Sequence, residues 1–223
     1  TICVAYDGME RFFPAEKLVL TGNPVRQDLC NEALTRTEAA AFFGLDPNKK
    51  IILLIGGSLG ALTLNTAVAE IVKSGVQLIW QCGKRFDERA KMVLEAAGNP
   101  TCIKQMPFIA RMDLAYKAAD LVISRAGASS ISELCLLGKP VILVPSPNVA
   151  EDHQTKNAEA LSSKGAAILV RDTEARQRLM PCALSVVHDE ESLTSMSREI
   201  AALAQRDSAA RIADIIFDIV NKK

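Results

Sequence analysis

The chain has little that would suit it to metal, redox or nucleic-acid chemistry. It holds two histidines, His153 and His188, and six scattered cysteines (Cys3, Cys30, Cys82, Cys102, Cys135 and Cys182) with no C-x-x-C pair. A zinc site needs clustered thiolate and imidazole ligands, so no metal site is expected and the cysteines read as reduced thiols. Aromatic residues make up 4% of the chain, and Lys+Arg and Asp+Glu are equal at 26 each. A balanced chain poor in stacking side chains argues against a nucleic-acid partner. No apolar run approaches the roughly 20 residues that cross a bilayer. Two nucleotide signatures are missing as well. The turn Gly56-Gly57-Ser58-Leu59-Gly60 lacks the G-x-G-x-x-G spacing, and the next strand ends at Gln81-Cys82-Gly83 without a ribose-binding acid. Hydride chemistry with NAD is therefore not expected. No Gly-Lys-Ser/Thr follows the turn, which excludes a P-loop.

What the 223 residues do contain is alternation. Strands are expected at 2–5, 17–20, 51–55, 76–81, 101–105, 121–123, 141–144 and 167–170. Helices are expected at 35–43, from about 61 to 73, at 86–97, 112–119, 130–137 and 154–164, and in about three segments after 173. The 51–55 run is apolar at every position, as in a strand covered on both faces. Such alternation implies right-handed crossovers and an α/β fold, a parallel sheet with helices on both faces. Thr35-Arg36-Thr37-Glu38 fits a capping box, with Gly44 as the stop. Thr21-Gly22-Asn23-Pro24-Val25-Arg26 must be a loop, which presents Arg26 either to solvent or to an anion. The last helix carries Ile212, Ile215, Ile216 and Ile219 at helical spacing. Packing on its own domain is the first reading of that stripe, and covering a neighbouring domain the second.

The chemistry concentrates at two turns and a loop. At Gly56–Gly60 the glycines let main-chain N–H groups approach an anion, and Ser58 adds a hydroxyl, although an ordinary tight turn would look the same. After Leu121–Ile123 the chain reads Ser-Arg-Ala-Gly-Ala-Ser-Ser-Ile-Ser-Glu (Ser124–Glu133). Ala128, Ser129 and Ser130 are small enough to admit a ligand to the helix start. Glu133 is placed to hold two vicinal hydroxyls of a ribose. Ser130-Ile131-Ser132-Glu133 is also a capping box, the more economical account of Glu133 taken alone, and the two roles compete for the same oxygens. Pro145 and Pro147 stiffen the next loop, which leads to Glu151-Asp152-His153-Gln154. Gln154 suits sugar hydroxyls. His153 is a catalytic base by type, without an orienting partner evident in the sequence.

These motifs, with Thr21–Arg26 ahead of them and Thr155-Lys156-Asn157-Ala158 behind, closely resemble the carboxyl-terminal half of the MurG family. Those enzymes are the N-acetylglucosaminyltransferases that make lipid II for peptidoglycan. The resemblance implies one half of a GT-B glycosyltransferase: a Rossmann-like domain over 21–205, preceded by the tail of a missing domain (1–20) and followed by a C-terminal helix (206–223). It implies that the chain binds UDP-N-acetylglucosamine and needs no cofactor and no metal. It places the lipid I acceptor, the general base and the membrane contact on the missing half, with no catalytic residue in this chain. The whole enzyme would lie on the cytoplasmic face of the bacterial plasma membrane.

By motif position, Arg26 and Ser58 would contact the donor, together with Gly56 and Gly57. Ile109 would offer backbone groups to uracil. Ala128, Ser129 and Ser130 would line the donor, Glu133 would hold ribose and Gln154 the N-acetylglucosamine hydroxyls. His153 stands where some members have glutamine, so it is a further donor-binding candidate that departs from the pattern. The rival functions are a UDP-sugar:diacylglycerol glycosyltransferase, a donor-binding subunit that works with a separate partner chain, and a non-catalytic nucleotide-binding module.

Overall fold

The aliphatic run Ile51–Ile55 (β3) is buried at all five positions and forms the centre of the molecule. The structure, a computed structural model, describes residues 1–6, 8–31, 33–56, 61–68, 71, 74–147, 149 and 152–221. On one side β3 pairs with β6 (Leu121–Ser124), which pairs with β7 (Val141–Leu143) and then β8 (Ile168–Leu169). On the other side it pairs with β4 (Gln77–Gln81), followed by β5 (Ile103–Met106). All these pairings are parallel, so each strand returns through a helical crossover, as the alternation required. The spatial order is β5-β4-β3-β6-β7-β8. Counted within this sheet, that is the doubly wound order in which the chain starts at the centre and winds outward both ways.

Period-two side chains divide the core. Ile51, Leu53 and Ile55 join α1 (Arg36–Phe42), α4 (Met112–Ala118), α5 (Ala128–Leu137) and α6 (His153–Ser162) on one face. Ile52 and Leu54 join α2 (Leu62–Ala67), α3 (Asp87–Ala96) and α7 (Ala175–Val187) on the other. The helix α8 (Glu190–Ala201) packs against both α5 and α7 and so closes one edge. The Thr35 capping box forms as expected, with Thr35 accepting from the Glu38 amide and Glu38 accepting from the Thr35 amide at 2.9 Å.

The second expected capping box does not form. The helix α5 starts at Ala128, two residues earlier than 130, with Gly127 as its N-cap and no side-chain cap. Ser130 and Glu133 therefore lie within the helix, where the Glu133 carboxylate turns to a different partner, described below.

Residues before 21 form a separate parallel pair, β1 (Ile2–Val4) and β2 (Leu18–Leu20). The chain then passes under the last helix, α9 (Ser208–Asn221), where the Arg211 guanidinium donates to Leu20 O at 2.6 Å. Gly22 sits at that crossing with φ +78°, and a Cβ there would lie 2.4 Å from Gln205 Cβ and 2.6 Å from Ser208 Oγ. Both the left-handed backbone and the missing side chain are required. Gly22→Ala is expected to cost about 2–4 kcal/mol in a urea titration, from strain plus overpacking. A change under about 0.5 kcal/mol would mean that the crossing opens without penalty. The apolar stripe of α9 packs on its own domain only in part. Ile212 and Ile215 are half-buried, whereas Ile216, Phe217, Ile219 and Val220 are exposed. Among the described residues no helix is long and apolar enough to cross a membrane.

Candidate functional site

The sheet reverses its winding between β3 and β6, and Ile55 lies directly opposite Ser124 in the register. The helix after β3, α2, covers one face of the sheet, and the helix after β6, α5, covers the other. The two loops must part, and a crevice opens where they do. Gly56, which follows β3, and the start of α5 thus line one cleft at the same end of the sheet. The cleft measures about 770 Å³ and is lined from Gly56, Gly127, Ser130, Glu133 and Gln154 among others. That volume falls in the range of about 300–1,000 Å³ usual for small-molecule sites.

On the α5 side the wall is main chain. Among the described residues, the N–H groups of Ala128, Ser129 and Ser130 carry no hydrogen bond, and Ile131 N–H is the first to bond back, to Gly127 O at 3.0 Å. Unbonded amides at a helix start attract negative charge. One turn further in, Glu133 Oε2 accepts from the Tyr116 hydroxyl at 2.9 Å. Tyr116 is buried. Burial pushes its hydroxyl well above the ordinary tyrosine range, and the neighbouring Glu133 charge adds to the shift. Tyr116 is therefore a donor at any physiological pH, and it orients Glu133 while leaving Oε1 without a hydrogen bond among the described residues. The positive charge of Arg26 opposes that shift as the smallest of its causes. Arg26 itself is exposed on its loop, 3.8 Å from Asp28.

On the β7 side, the Gln154 side-chain oxygen accepts from Ser146 N at 2.9 Å, which ties the start of α6 to the loop after β7. Arg125 sits deeper. Its Nη1 donates to Val144 O at 3.0 Å and Pro145 O at 3.1 Å and pairs with Asp172, which also accepts from Thr63 at 3.0 Å. One guanidinium so joins the ends of β6 and β7 to the segment after β8 and to α2. Beneath the cleft, the Ile109 amide is already engaged, donating to Gln81 Oε1 at 3.1 Å.

A family model, the glycosyltransferase family 28 C-terminal domain, matches residues 51–212. The chain belongs to glycosyltransferase family 28. The match begins at the first residue of β3 and ends within α9, so it spans the six-stranded sheet and its helices. A UDP-N-acetylglucosamine–N-acetylmuramyl-(pentapeptide) pyrophosphoryl-undecaprenol N-acetylglucosamine transferase of Parabacteroides distasonis is 59% identical over 100% of this chain and 61% of its own length. The protein of that name from Phocaeicola vulgatus is 55% identical over 99% of this chain and 60% of its own. The crystal structure of Acinetobacter baumannii MurG superposes with a TM-score of 0.73 at 29% identity, over 97% of this chain and 60% of that one. The chain thus spans about three-fifths of the length of the relatives it matches.

In this family 28 domain the expected site residues divide into groups. Gly56, Ser130, Glu133 and Gln154 line the cleft. Ala128 and Ser129 supply the unbonded amides of α5 at its edge. Arg26, Ile109 and His153 are not among its lining: Arg26 stands on the 21–26 loop, Ile109 is buried, and His153 is the exposed first residue of α6. Gly57 and Ser58 lie outside the described residues. Tyr116, Gln81, Arg125, Asp172 and Thr63 line the cleft without having been singled out in the sequence. Four of the five do carry a signal. Gln81 ends β4, Arg125 and Asp172 follow the ends of β6 and β8, and Thr63 is in the first turn of α2, all at the carboxyl edge where such folds bind ligands. Tyr116 shows none, because it falls within the buried stripe of α4. Among the described residues no three His, Cys, Asp or Glu side chains form a metal-binding group.

Proposed function

We propose that this chain is the donor-binding part of an inverting N-acetylglucosaminyltransferase that takes UDP-N-acetylglucosamine and passes the sugar to lipid I, giving lipid II for peptidoglycan. The observation that carries the reading is Glu133. Its carboxylate is oriented by Tyr116, keeps one oxygen without a hydrogen bond among the described residues, and lines a cleft beside helix amides equally unbonded among them. That is the pairing a nucleoside diphosphate needs: an acceptor for the two ribose hydroxyls and donors for the phosphates. The names of the relatives support this donor and acceptor.

The chemistry follows from the charges. The C4 hydroxyl of the muramoyl sugar displaces UDP at the anomeric carbon with inversion. Negative charge gathers on the departing diphosphate as the bond breaks. The amides at the start of α5 stabilise that charge without reorganising, and so favour the transition state over the ground state. Gln154, with its oxygen engaged by Ser146, keeps its NH₂ donors for the sugar hydroxyls. Arg26, on its loop, adds positive charge near the nucleotide. The base that takes the C4 proton belongs to a preceding domain. Residues 1–20 are the tail of that domain. The exposed Ile216, Phe217, Ile219 and Val220 of α9 pack toward it. Contact with the cytoplasmic face of the plasma membrane falls to that domain too.

Calorimetry on the 223-residue chain tests the reading. UDP-N-acetylglucosamine is expected to bind at least about tenfold more tightly than UDP-glucose, a difference of about 1.4 kcal/mol. Transfer to a lipid I analogue is expected to be undetectable. Equal binding of both sugars would favour a nucleotide module or a glucosyltransferase, and measurable transfer would place the base within this chain.

A further inference from the structure

The first peptide unit of α5 is held from behind. Ala128 O accepts from the Tyr6 hydroxyl at 3.1 Å and from the Ser132 hydroxyl at 3.0 Å. Ser132 Oγ in turn accepts from the side-chain amide of Asn23 at 3.0 Å. These donors come from outside the cleft: Tyr6 follows β1 and Asn23 lies on the loop after β2. Behind them is a cavity of about 350 Å³ lined by Tyr6, Asn23, Ile131, Ser132, Cys135 and Gln205 among others. A helix backed by empty space is not located by packing alone, because the atoms that would wedge it are missing. Here the Tyr6 hydroxyl, and the Asn23 amide through Ser132 of α5 itself, locate it.

The geometry of the peptide bond gives this network a consequence in the cleft. The carbonyl of Ala128 and the N–H of Ser129 belong to one rigid plane and point in opposite directions. Fixing the carbonyl from behind aims the N–H forward. The Ser129 N–H is one of the three amides at the start of α5 without a hydrogen bond among the described residues. We propose that Tyr6, Asn23 and Ser132 are positioning residues that aim the Ser129 amide at the phosphate-bearing part of the ligand, and so link the segment ahead of residue 21 to donor binding. This rests on the sugar-nucleotide reading of the cleft. Burial raises the Tyr6 hydroxyl above the ordinary tyrosine range, which keeps it a donor at neutral pH.

The test compares UDP with uridine by calorimetry on the whole chain. Tyr6→Phe keeps the ring and removes only the donor, and Ser132→Ala removes the second donor. Each variant is expected to lose about 3- to 10-fold in UDP affinity and less than twofold in uridine affinity. The double variant is expected to lose less than the product of the two, because both donors share one carbonyl. The Ser129 amide resonance should move on adding UDP to the wild type and move less in Tyr6→Phe. Equal losses for UDP and uridine would reveal a role in folding only and overturn the proposal. Unchanged UDP affinity in both single variants would also overturn it. The outcomes separate from failure of the donor reading: that reading falls if Glu133→Ala binds UDP as the wild type does. A wild type that binds neither ligand overturns both.

Discussion

Glu133→Ala is expected to weaken UDP-N-acetylglucosamine binding by about 30- to 100-fold. A carboxylate that accepts from two ribose hydroxyls makes charge-assisted bonds worth about 1.5–3 kcal/mol each. Water in an open cleft recovers part of that, leaving about 2–2.8 kcal/mol, and 1.4 kcal/mol is tenfold. The same change removes the acceptor of the buried Tyr116 hydroxyl, so about 1–3 kcal/mol of stability should go with it. Two further measurements separate the effects. Glu133→Gln keeps an acceptor for Tyr116, so it should restore most of the stability and little of the affinity. A 2′-deoxyribose analogue of the donor should bind weakly to the wild type and respond to Glu133→Ala by less than about threefold. Calorimetry and a urea titration read both quantities. Full donor affinity in Glu133→Ala would leave the carboxylate with a packing role only.

Arg125→Met is expected to lower stability by about 3 kcal/mol, the usual cost of stranding one partner of a largely buried ion pair. Arg125 and Asp172 side chains are 17% and 18% exposed. Without the guanidinium, Thr63 is the one donor left to Asp172 among the described residues, and the bonds from Arg125 to Val144 O and Pro145 O are lost. In a chain of this length that corresponds to a melting midpoint lower by about 6–12 °C. The double variant Arg125→Met/Asp172→Asn should regain more than half of the loss, since the stranded charge is gone. Donor affinity should fall in the single variant too, because the loop that carries Ser146 and meets Gln154 is then held at one point fewer. A midpoint within about 1 °C of wild type would show that solvent screens the pair and that it does not brace the cleft.

The strands were legible because their residues are apolar without interruption. Ile51–Ile55 matches its expected span, and the others end within two residues of theirs. The capping box at Thr35 was legible for a similar reason, since both partners lie within four residues of one another. The same pattern at Ser130–Glu133 misled, although its residue types are equally suitable. There the helix had already begun at Ala128, and a buried tyrosine from α4 offered Glu133 a hydrogen bond that no local spacing reveals. Arg125 stood inside the most informative stretch of the sequence, yet its acceptors, Val144, Pro145 and Asp172, lie 19 to 47 positions away. The Ile109 amide depends on a distant partner in the same way, since it is engaged by Gln81, a residue from another strand end.

By itself the sequence determined that strands and helices alternate, that the strands are covered on both faces, and that small residues gather in two turns that follow strands. Those properties are local: they follow from side-chain volume, apolar runs and the preferences of single turns. Only the tertiary structure decided that Gly56 and the start of α5 share one end of the sheet, that Glu133 answers to Tyr116 instead of to its own helix start, and that Tyr6 and Asn23 reach α5 from behind. The reason is that strand order is a property of crossovers. Winding outward from β3 in both directions brings together residues more than a hundred positions apart, and no interaction between neighbours along the chain encodes which strand lies beside which.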